Sequence, residues 1–370
     1  MTESTPADSP SPLRFANVGC GVIGRQHAES ITRVEGAALC VAVDLAETAA
    51  TELGHEYGVA WTTSLDEALG RDDVDAVAIC TPSGNHAELA VQALEAGKHV
   101  VVEKPLDVSA DAAAKLQAAA AASSRTVTVI SQHRFDASSL AVAQAVREGR
   151  LGTITSGVAS IAWWRSQDYY DSGAWRGTWS LDGGGALMNQ GIHTIDLLVW
   201  MLGRPLEVSA YTGCLAHEGI EVEDTAVAIV RFEGGALGVV HGTTAAYPGL
   251  SARLQVHGTR GSAIIDDDRL EYFHAAPAED DPDAPAYGAG KSSNQASLLL
   301  PQEESAPSAG ADPAALSDAH DLQYADFLRA VRAGREPAVT PADAALTLQV
   351  VLAIYRSAEE GRPVAIPAGN

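Results

Sequence analysis

The sequence predicts an α/β protein: an N-terminal doubly wound parallel sheet, then a C-terminal α+β domain with a large, mainly antiparallel, open sheet. Three observations carry this. Short apolar runs alternate with helical patterns through the first third of the chain. A glycine cluster, Gly19-Cys20-Gly21-Val22-Ile23-Gly24, separates the first run from the first helical pattern. Past residue 205, strand patterns follow one another with no helix between them.

Taken in order, residues 1–12 are Ser, Pro, Thr and acids, and predict a disordered tail. Strands are expected at 13–18, 38–43, 74–80, 99–103 and 126–130, several of them continuously apolar, as when helices cover both sheet faces. Helices are expected between them at 24–34, 46–57, 86–96 and 110–123. This first domain, 13–135, gives way to a second, 136–370. There a helix at 137–148 leads to a strand at 153–164, the glycine turn 182–185 and one helical run, 186–202. Strands at 207–213, 225–232, 236–244, 253–257 and 262–265 follow, with Glu233-Gly234-Gly235 as a hairpin signal. Residues 275–317 lack a period and predict an exposed loop. Helices at 319–333 and 342–358 close the chain, the last opened by Thr340-Pro341 and stopped by Gly361 and Pro363.

Length and composition narrow the function. The 370 residues suit two domains. With 24 Lys and Arg against 48 Asp and Glu, the formal charge is −24, which argues against nucleic-acid or membrane-surface partners. A small anionic ligand remains open, because a pocket can be locally positive on an acidic protein. Cys20, Cys40, Cys80 and Cys214 lie far apart and fit a reducing cytoplasm, and the N-terminus lacks the pattern of a signal peptide. The longest apolar run, 197–202, is too short to span a bilayer.

The glycine cluster predicts a dinucleotide site. Gly19 allows the turn, Gly21 admits the pyrophosphate to the backbone, Gly24 lets helix and strand close, and the helix N-terminus, with Val22 and Ile23, offers amides. Asp44 ends the next strand and suits a ribose 2′-OH, while its neighbour Leu45 offers no cation to a 2′-phosphate; NAD is therefore expected over NADP. Two more segments stand beyond strand ends in the cofactor crevice. Thr81-Pro82-Ser83-Gly84-Asn85-His86 nominates Thr81, Pro82, Asn85 and His86, and Glu103-Lys104-Pro105 nominates Glu103 and Lys104; an ion pair of Glu103 with Lys104 or a neighbour is the plainer reading of the second.

In the second domain, Asn189, His193 and Asp196 are spaced to share one helix face. There Asp196 would orient His193 as a general base. A buried structural histidine is the plainer alternative. No metal is expected, because nothing points to ligands beyond His193 and Asp196. The stretch 163–179 holds four of the six tryptophans with Arg165, Tyr169, Tyr170 and Arg176; Trp175 and Arg176 are candidates to face a sugar. No Gly-x-Ser-x-Gly elbow supports a hydrolase.

In this order, GCGVIG, TPSGNHAELAVQALEAGKHVVVEKPL, GGGALMNQGIHTIDLLVWMLG and VHGTRGS resemble the Gfo/Idh/MocA oxidoreductase family over residues 13–366. The resemblance implies a Rossmann domain and a second domain whose open sheet is often the oligomer interface, hence a homodimer or homotetramer. It implies a bound nicotinamide dinucleotide and hydride transfer at a secondary alcohol of a sugar, sugar nucleotide or cyclitol. It assigns Lys104 and His193 as the catalytic pair, with Asn189 at a position where many members carry aspartate. Segments 169–198 and 221–232 look most like the sugar-nucleotide 3-dehydrogenase branch. Two other uses stand beside a dehydrogenase: an NAD-dependent glycosidase working by transient oxidation, and a silent dinucleotide sensor.

Overall fold

The computed structural model describes residues 11–277, 293–300 and 317–367. Residues 1–10 of the expected tail and most of the expected loop at 275–317 lie outside them.

The first unit runs β1 (Leu13–Val18), α1 (Val22–Arg33), β2 (Ala37–Val43), α2 (Glu47–Tyr57), β3 (Ala60–Thr62), α3 (Leu65–Leu69), β4 (Ala76–Ile79), α4 (His86–Glu95), β5 (His99–Val102), α5 (Ala110–Ala122) and β6 (Val127–Val129). All six strands are parallel, in the order β3-β2-β1-β4-β5-β6. Every residue of β4 is buried, because helices cover both faces. The order reverses between β1 and β4, so a crevice opens beyond their carboxyl ends, where such sheets bind ligands. Strand β3 and helix α3 escape the sequence pattern because each is less than two turns or periods long.

The second unit continues with α6 (Ala137–Arg147), β7 (Ile154–Ala162), α7 (Gln167–Asp171), a π-helical turn (Ala186–Gly191) and α8 (Ile192–Leu202). Strands β8 (Pro205–Gly213), β9 (Thr225–Phe232), β10 (Leu237–Thr243), β11 (Ala252–Gly258), β12 (Gly261–Asp266) and β13 (Arg269–Ala275) follow. Helices α9 (Ala296–Leu299), α10 (Ser317–Ala333) and α11 (Pro341–Glu360) precede a short β14 (Val364–Ala365). The eight strands lie in the order β13-β12-β11-β7-β10-β9-β8-β14, antiparallel except for β7 with β10. Helices α8 and α11 cover one face. Along β9, Ala226, Ala228, Val230 and Phe232 point into that core, while Val227 and Ile229 stand about half exposed on the other face.

Three differences from the sequence reading have physical causes. The single run 186–202 is a π-helical turn followed by α8, because Glu223 accepts the amides of Gly185 and Leu187 and fixes the start of that turn. Strand β13 has no counterpart among the expected strands: its hairpin turns on Asp267 and Asp268, both with positive φ, rather than on the Asn-Gly or Gly that marks such turns in sequence. Within the expected loop 275–317, α9 docks onto β13 through Asn294 and Gln295. The expected signals of α11 do appear, as a Thr340–Asp343 capping box, Pro341 in its first turn and Gly361 in the left-handed conformation at its end.

The chain's last helices return to the first unit. Helix α10 lays Tyr324 and Phe327 against Phe15 of β1, and α11 packs on α5 and α8. No described helix is long and apolar enough to cross a membrane.

Candidate active site

The crevice is built by close approach. At Gly24 an added Cβ would stand 1.9 Å from the carbonyl oxygen of Gly19, and at Gly19 (φ +95°) it would stand 2.5 Å from that of Cys80. At Gly21 it would meet nothing within 4 Å, so open space lies over the backbone there. No side chain caps the N-terminus of α1, and Val22 beside it is exposed. Asp44, just past β2, accepts the amides of Cys20 (2.7 Å) and Ala46 (2.8 Å), which aims its carboxylate at the crevice rim. The Thr81 hydroxyl is buried without a partner among the described residues. An uncapped helix end, a Cβ-free cradle and an orphaned hydroxyl fit a dinucleotide held by its phosphates and ribose. Gly19, Gly21, Val22, Ile23, Gly24, Asp44 and Thr81 would hold it.

Pro82 precedes one 3-10 turn, Ser83–Asn85, that opens α4. The ring of His86, a residue expected at the cofactor, is tied up by two backbone carbonyl oxygens. Its ring is buried, with Nδ1 2.7 Å from the carbonyl oxygen of Pro105 and Nε2 2.8 Å from that of Thr81. It ties the loops after β4 and β5 together.

Glu103 is likewise turned away from Lys104's ammonium. One oxygen accepts from His27 Nε2 (2.9 Å) and the other from the Lys104 amide (2.8 Å). Burial opposes ionisation, yet His27 and its neighbours hold the Glu103 carboxyl well below the usual range. His27 is itself pushed down by burial, so a neutral ring donates through Nε2 and accepts the Tyr324 hydroxyl at Nδ1 (2.7 Å). The buried Glu103–His27–Tyr324 chain anchors the strand end that carries Lys104.

Lys104 reaches across to the second unit, where its Nζ donates to the carbonyl oxygen of Asn189 (2.9 Å). Burial lowers its pKa against the pull of Glu103 and Asp182, and Arg165 and Arg176 push the same way as burial. Lys104 and His193 line one small pocket with Pro105, Ile130, Ile192 and Thr347. The ring nitrogens of His193 make no hydrogen bond among the described residues, so both are open to a ligand. Burial, then His133 and Lys104, hold its pKa well below the ordinary value.

The expected pairing of Asp196 with His193 is not formed. Asp196 points into the core, where it takes Arg134 through two 2.7 Å hydrogen bonds, with the hydroxyls of Ser131 and Thr347 on the same carboxylate. His193 and Asp196 do lie in one regular helix, but Arg134, Ser131 and Thr347 take the carboxylate; the π-helical turn that ends at Gly191 re-phases only Asn189. The neighbour of His193 is instead His133, with ring centroids 5.0 Å apart. His133 Nδ1 lies 2.9 Å from both Asp136 and Asp268; burial works against its charge, but these carboxylates carry its pKa up to about 10. Asn189 gives its side-chain amide to Asp182, a buried carboxylate of the glycine turn that burial holds above the usual range. Nothing in the spacing pointed to His133 or Asp182: both are joined to the site only by tertiary contact.

A wall of aromatic rings and arginines completes the second-unit side. Arg176 stacks on Tyr169 and Trp175, at 4.3 and 4.6 Å from their ring centres, and Arg165 on Trp163 and Tyr169. Gln190 receives Arg165 (2.7 Å) and donates to the Tyr169 hydroxyl (2.9 Å) and to Asn189 Oδ1 (3.0 Å). Arg176 is thus linked to Asn189 through Tyr169 and Gln190. Trp164 and Trp179 face solvent. Two clusters place ligand-type atoms close together, His27–Glu103–His320 and His133–Asp136–Asp268. The first is accounted for by its hydrogen bonds and the second by its ion pairs.

A parallel sheet with a glycine-lined crevice, joined through a lysine and a histidine to an open second sheet, is the build of a two-domain nicotinamide-dinucleotide oxidoreductase. Comparison with known proteins agrees. Residues 13–131 match the oxidoreductase family with an NAD-binding Rossmann fold, GFO/IDH/MocA, and residues 139–264 match the GFO/IDH/MocA C-terminal domain. The scyllo-inositol 2-dehydrogenase (NAD(+)) of Bacillus subtilis is 29% identical over 95% of this chain and 96% of its own. The inositol 2-dehydrogenase of Rhizobium meliloti is 29% identical over 70% of this chain and 76% of its own. The WlbA dehydrogenase of Bordetella pertussis, solved in complex with NADH and UDP-GlcNAcA, superposes with a TM-score of 0.81 at 30% identity, covering 97% of this chain and all of that one. The chain belongs to the GFO/IDH/MocA oxidoreductase family.

Proposed function

We propose that the chain is a dehydrogenase that moves hydride between a secondary alcohol of a sugar, sugar nucleotide or cyclitol and NAD, with Lys104 and His193 as its catalytic residues. The observation that carries this is their shared pocket: a buried lysine from the first sheet and a histidine with both nitrogens open. A bound nicotinamide dinucleotide would supply the hydride acceptor. His193, neutral at pH 7, takes the hydroxyl proton. Lys104 donates a hydrogen bond to the same oxygen as charge develops on it. Asn189 positions Lys104 through its carbonyl oxygen, and Trp175 and Arg176 line the substrate side.

Asp44 supports NAD over NADP, since its carboxylate would repel a 2′-phosphate and Leu45 beside it is exposed and uncharged. The apolar outer face of the second sheet, with Val227, Ile229, Leu237 and Val239, supports a homodimer or homotetramer through that face. The four free cysteines, two of them buried, suit a reducing cytoplasm.

The test is absorbance at 340 nm with NAD or NADP against sugars, cyclitols and sugar nucleotides. Reduction of NAD by one member, lost by about 10²-fold or more in Lys104→Ala and in His193→Ala while NADH still binds, is the expected result. Unchanged turnover in both variants refutes the pair, and preference for NADP refutes the reading of Asp44. Hydrolysis of an aryl glycoside without net NADH would identify the glycosidase use instead.

A further inference from the structure

We propose that the substrate carries an anionic group on the sugar, a carboxylate or a phosphate, and that Arg165 and Arg176 receive it. This rests on the dehydrogenase reading above and names the substrate class for that site.

The two guanidinium groups flank one ring, Tyr169, and each stacks on a tryptophan as well. Stacking fixes the planes of the guanidiniums without using their N–H donors. Those donors go only to neutral acceptors. Arg165 meets the Trp164 carbonyl oxygen (3.1 Å) and Gln190 Oε1 (2.7 Å), and Arg176 meets the Tyr169 hydroxyl (2.6 Å). A guanidinium has five donors, so at least half of each fork is left over. Neither arginine has a carboxylate within 4.0 Å among the described residues. The carboxylate standing nearest in the network, Asp182, is taken up by Asn189 Nδ2 and the Gly177 amide.

The contrast within the chain is sharp. Arg134, buried in the turn after β6, has Asp196 in a two-point grip. This protein carries twice as many acids as bases, so partners for two more arginines are abundant. Instead Arg165, Arg176 and Lys104 form a half-buried cationic group that lowers the basicity of the lysine. Like charges brought together out of water are unfavourable until an anion joins them. Position says which anion. Gln190 links Arg165 and Tyr169 to Asn189, whose carbonyl oxygen holds Lys104, so one hydrogen-bonded chain joins the arginines to the lysine. The phosphates of the dinucleotide have their own seat at the start of α1. A planar fork suits a carboxylate or a phosphate on the sugar itself.

The experiment compares three forms of each ring: D-glucose with D-glucuronate and D-glucose 6-phosphate, and the galactose and N-acetylglucosamine counterparts. Binding to NADH-loaded protein is measured by calorimetry, and turnover with NAD at 340 nm. At least one acidic form is expected to bind about tenfold or more tightly than its neutral parent. Whether the uronates or the phosphates show this distinguishes the two anions. In Arg165→Gln and Arg176→Gln, with NADH binding retained as the sign of folding, that ratio should fall toward one. Neutral sugars binding as tightly as acidic ones in every ring series, no binding by any of them, or a ratio that survives both substitutions, overturns the inference. Turnover of a neutral sugar without acid preference overturns it while leaving the dehydrogenase reading standing. Acid-selective binding that Arg176→Gln abolishes, with no change at 340 nm, does the reverse.

Discussion

Replacing Asp196 by Asn separates two roles that one carboxylate could have. If Asp196 oriented His193, the substitution would displace the acid limb of the pH–rate profile. In the folded protein Asp196 grips Arg134 through two 2.7 Å bonds, with both side chains about 5% exposed. Removing one partner of such a pair strands a buried charge, at about 3–5 kcal/mol. Asp343 stands 3.4 Å from the same guanidinium on its solvent side and offsets part of that cost, which favours the lower end, about 3 kcal/mol. Urea unfolding followed by circular dichroism reads this as a lower midpoint at unchanged slope. The residual folded enzyme should keep the wild-type acid limb, because no hydrogen bond joins His193 to Asp196 among the described residues. A loss below about 1 kcal/mol together with a displaced acid limb would refute this reasoning.

Two further outcomes follow from the same contacts. Gly24→Ala forces a methyl to 1.9 Å from the Gly19 carbonyl oxygen, so α1 must retreat by roughly 1 Å; about tenfold weaker NADH binding by fluorescence titration is expected, and wild-type affinity would show that the turn is slack. His133 has its pKa raised to about 10 from 6.5, so the stability it contributes is complete below pH 6.5 and lost as pH rises toward 10. The stability difference between wild type and His133→Gln should therefore shrink across that window, and a difference constant from pH 6 to 10 would rule the linkage out.

Much of the crevice was legible in the sequence because it depends on local geometry. Gly24 answers a close approach set within a few residues of chain, by the Gly19 carbonyl, and Gly19 a positive φ of its own, and Thr340-Pro341 and Gly361 are helix-end signals for the same local reason. Lys104 and His193 were legible through the motifs that carry them. What the spacing misjudged was orientation. Asn189 leaves the face expected for it because Glu223, some 30 residues on, winds the segment before His193 into a π-helical turn, and Asp196, in α8 with His193, is drawn off by Arg134. His86 and Glu103 looked like ligand contacts because they sit at strand ends, but both are turned inward by partners from other loops, Pro105 for one and His27 for the other.

By itself the sequence determined the order of strands and helices, the glycine cradle and the kinds of side chain available to the site, since periodicity and turn chemistry act over a few residues. Tertiary structure decided which of those side chains meet. Asp196 pairs with Arg134 from a helix's length before β7, His133 is charged by a carboxylate from the β12–β13 turn, and Tyr324 from near the end of the chain caps the histidine behind Glu103. Charge and proton affinity depend on burial and on neighbours within a few ångströms, and those neighbours come from segments 62 to 297 residues apart.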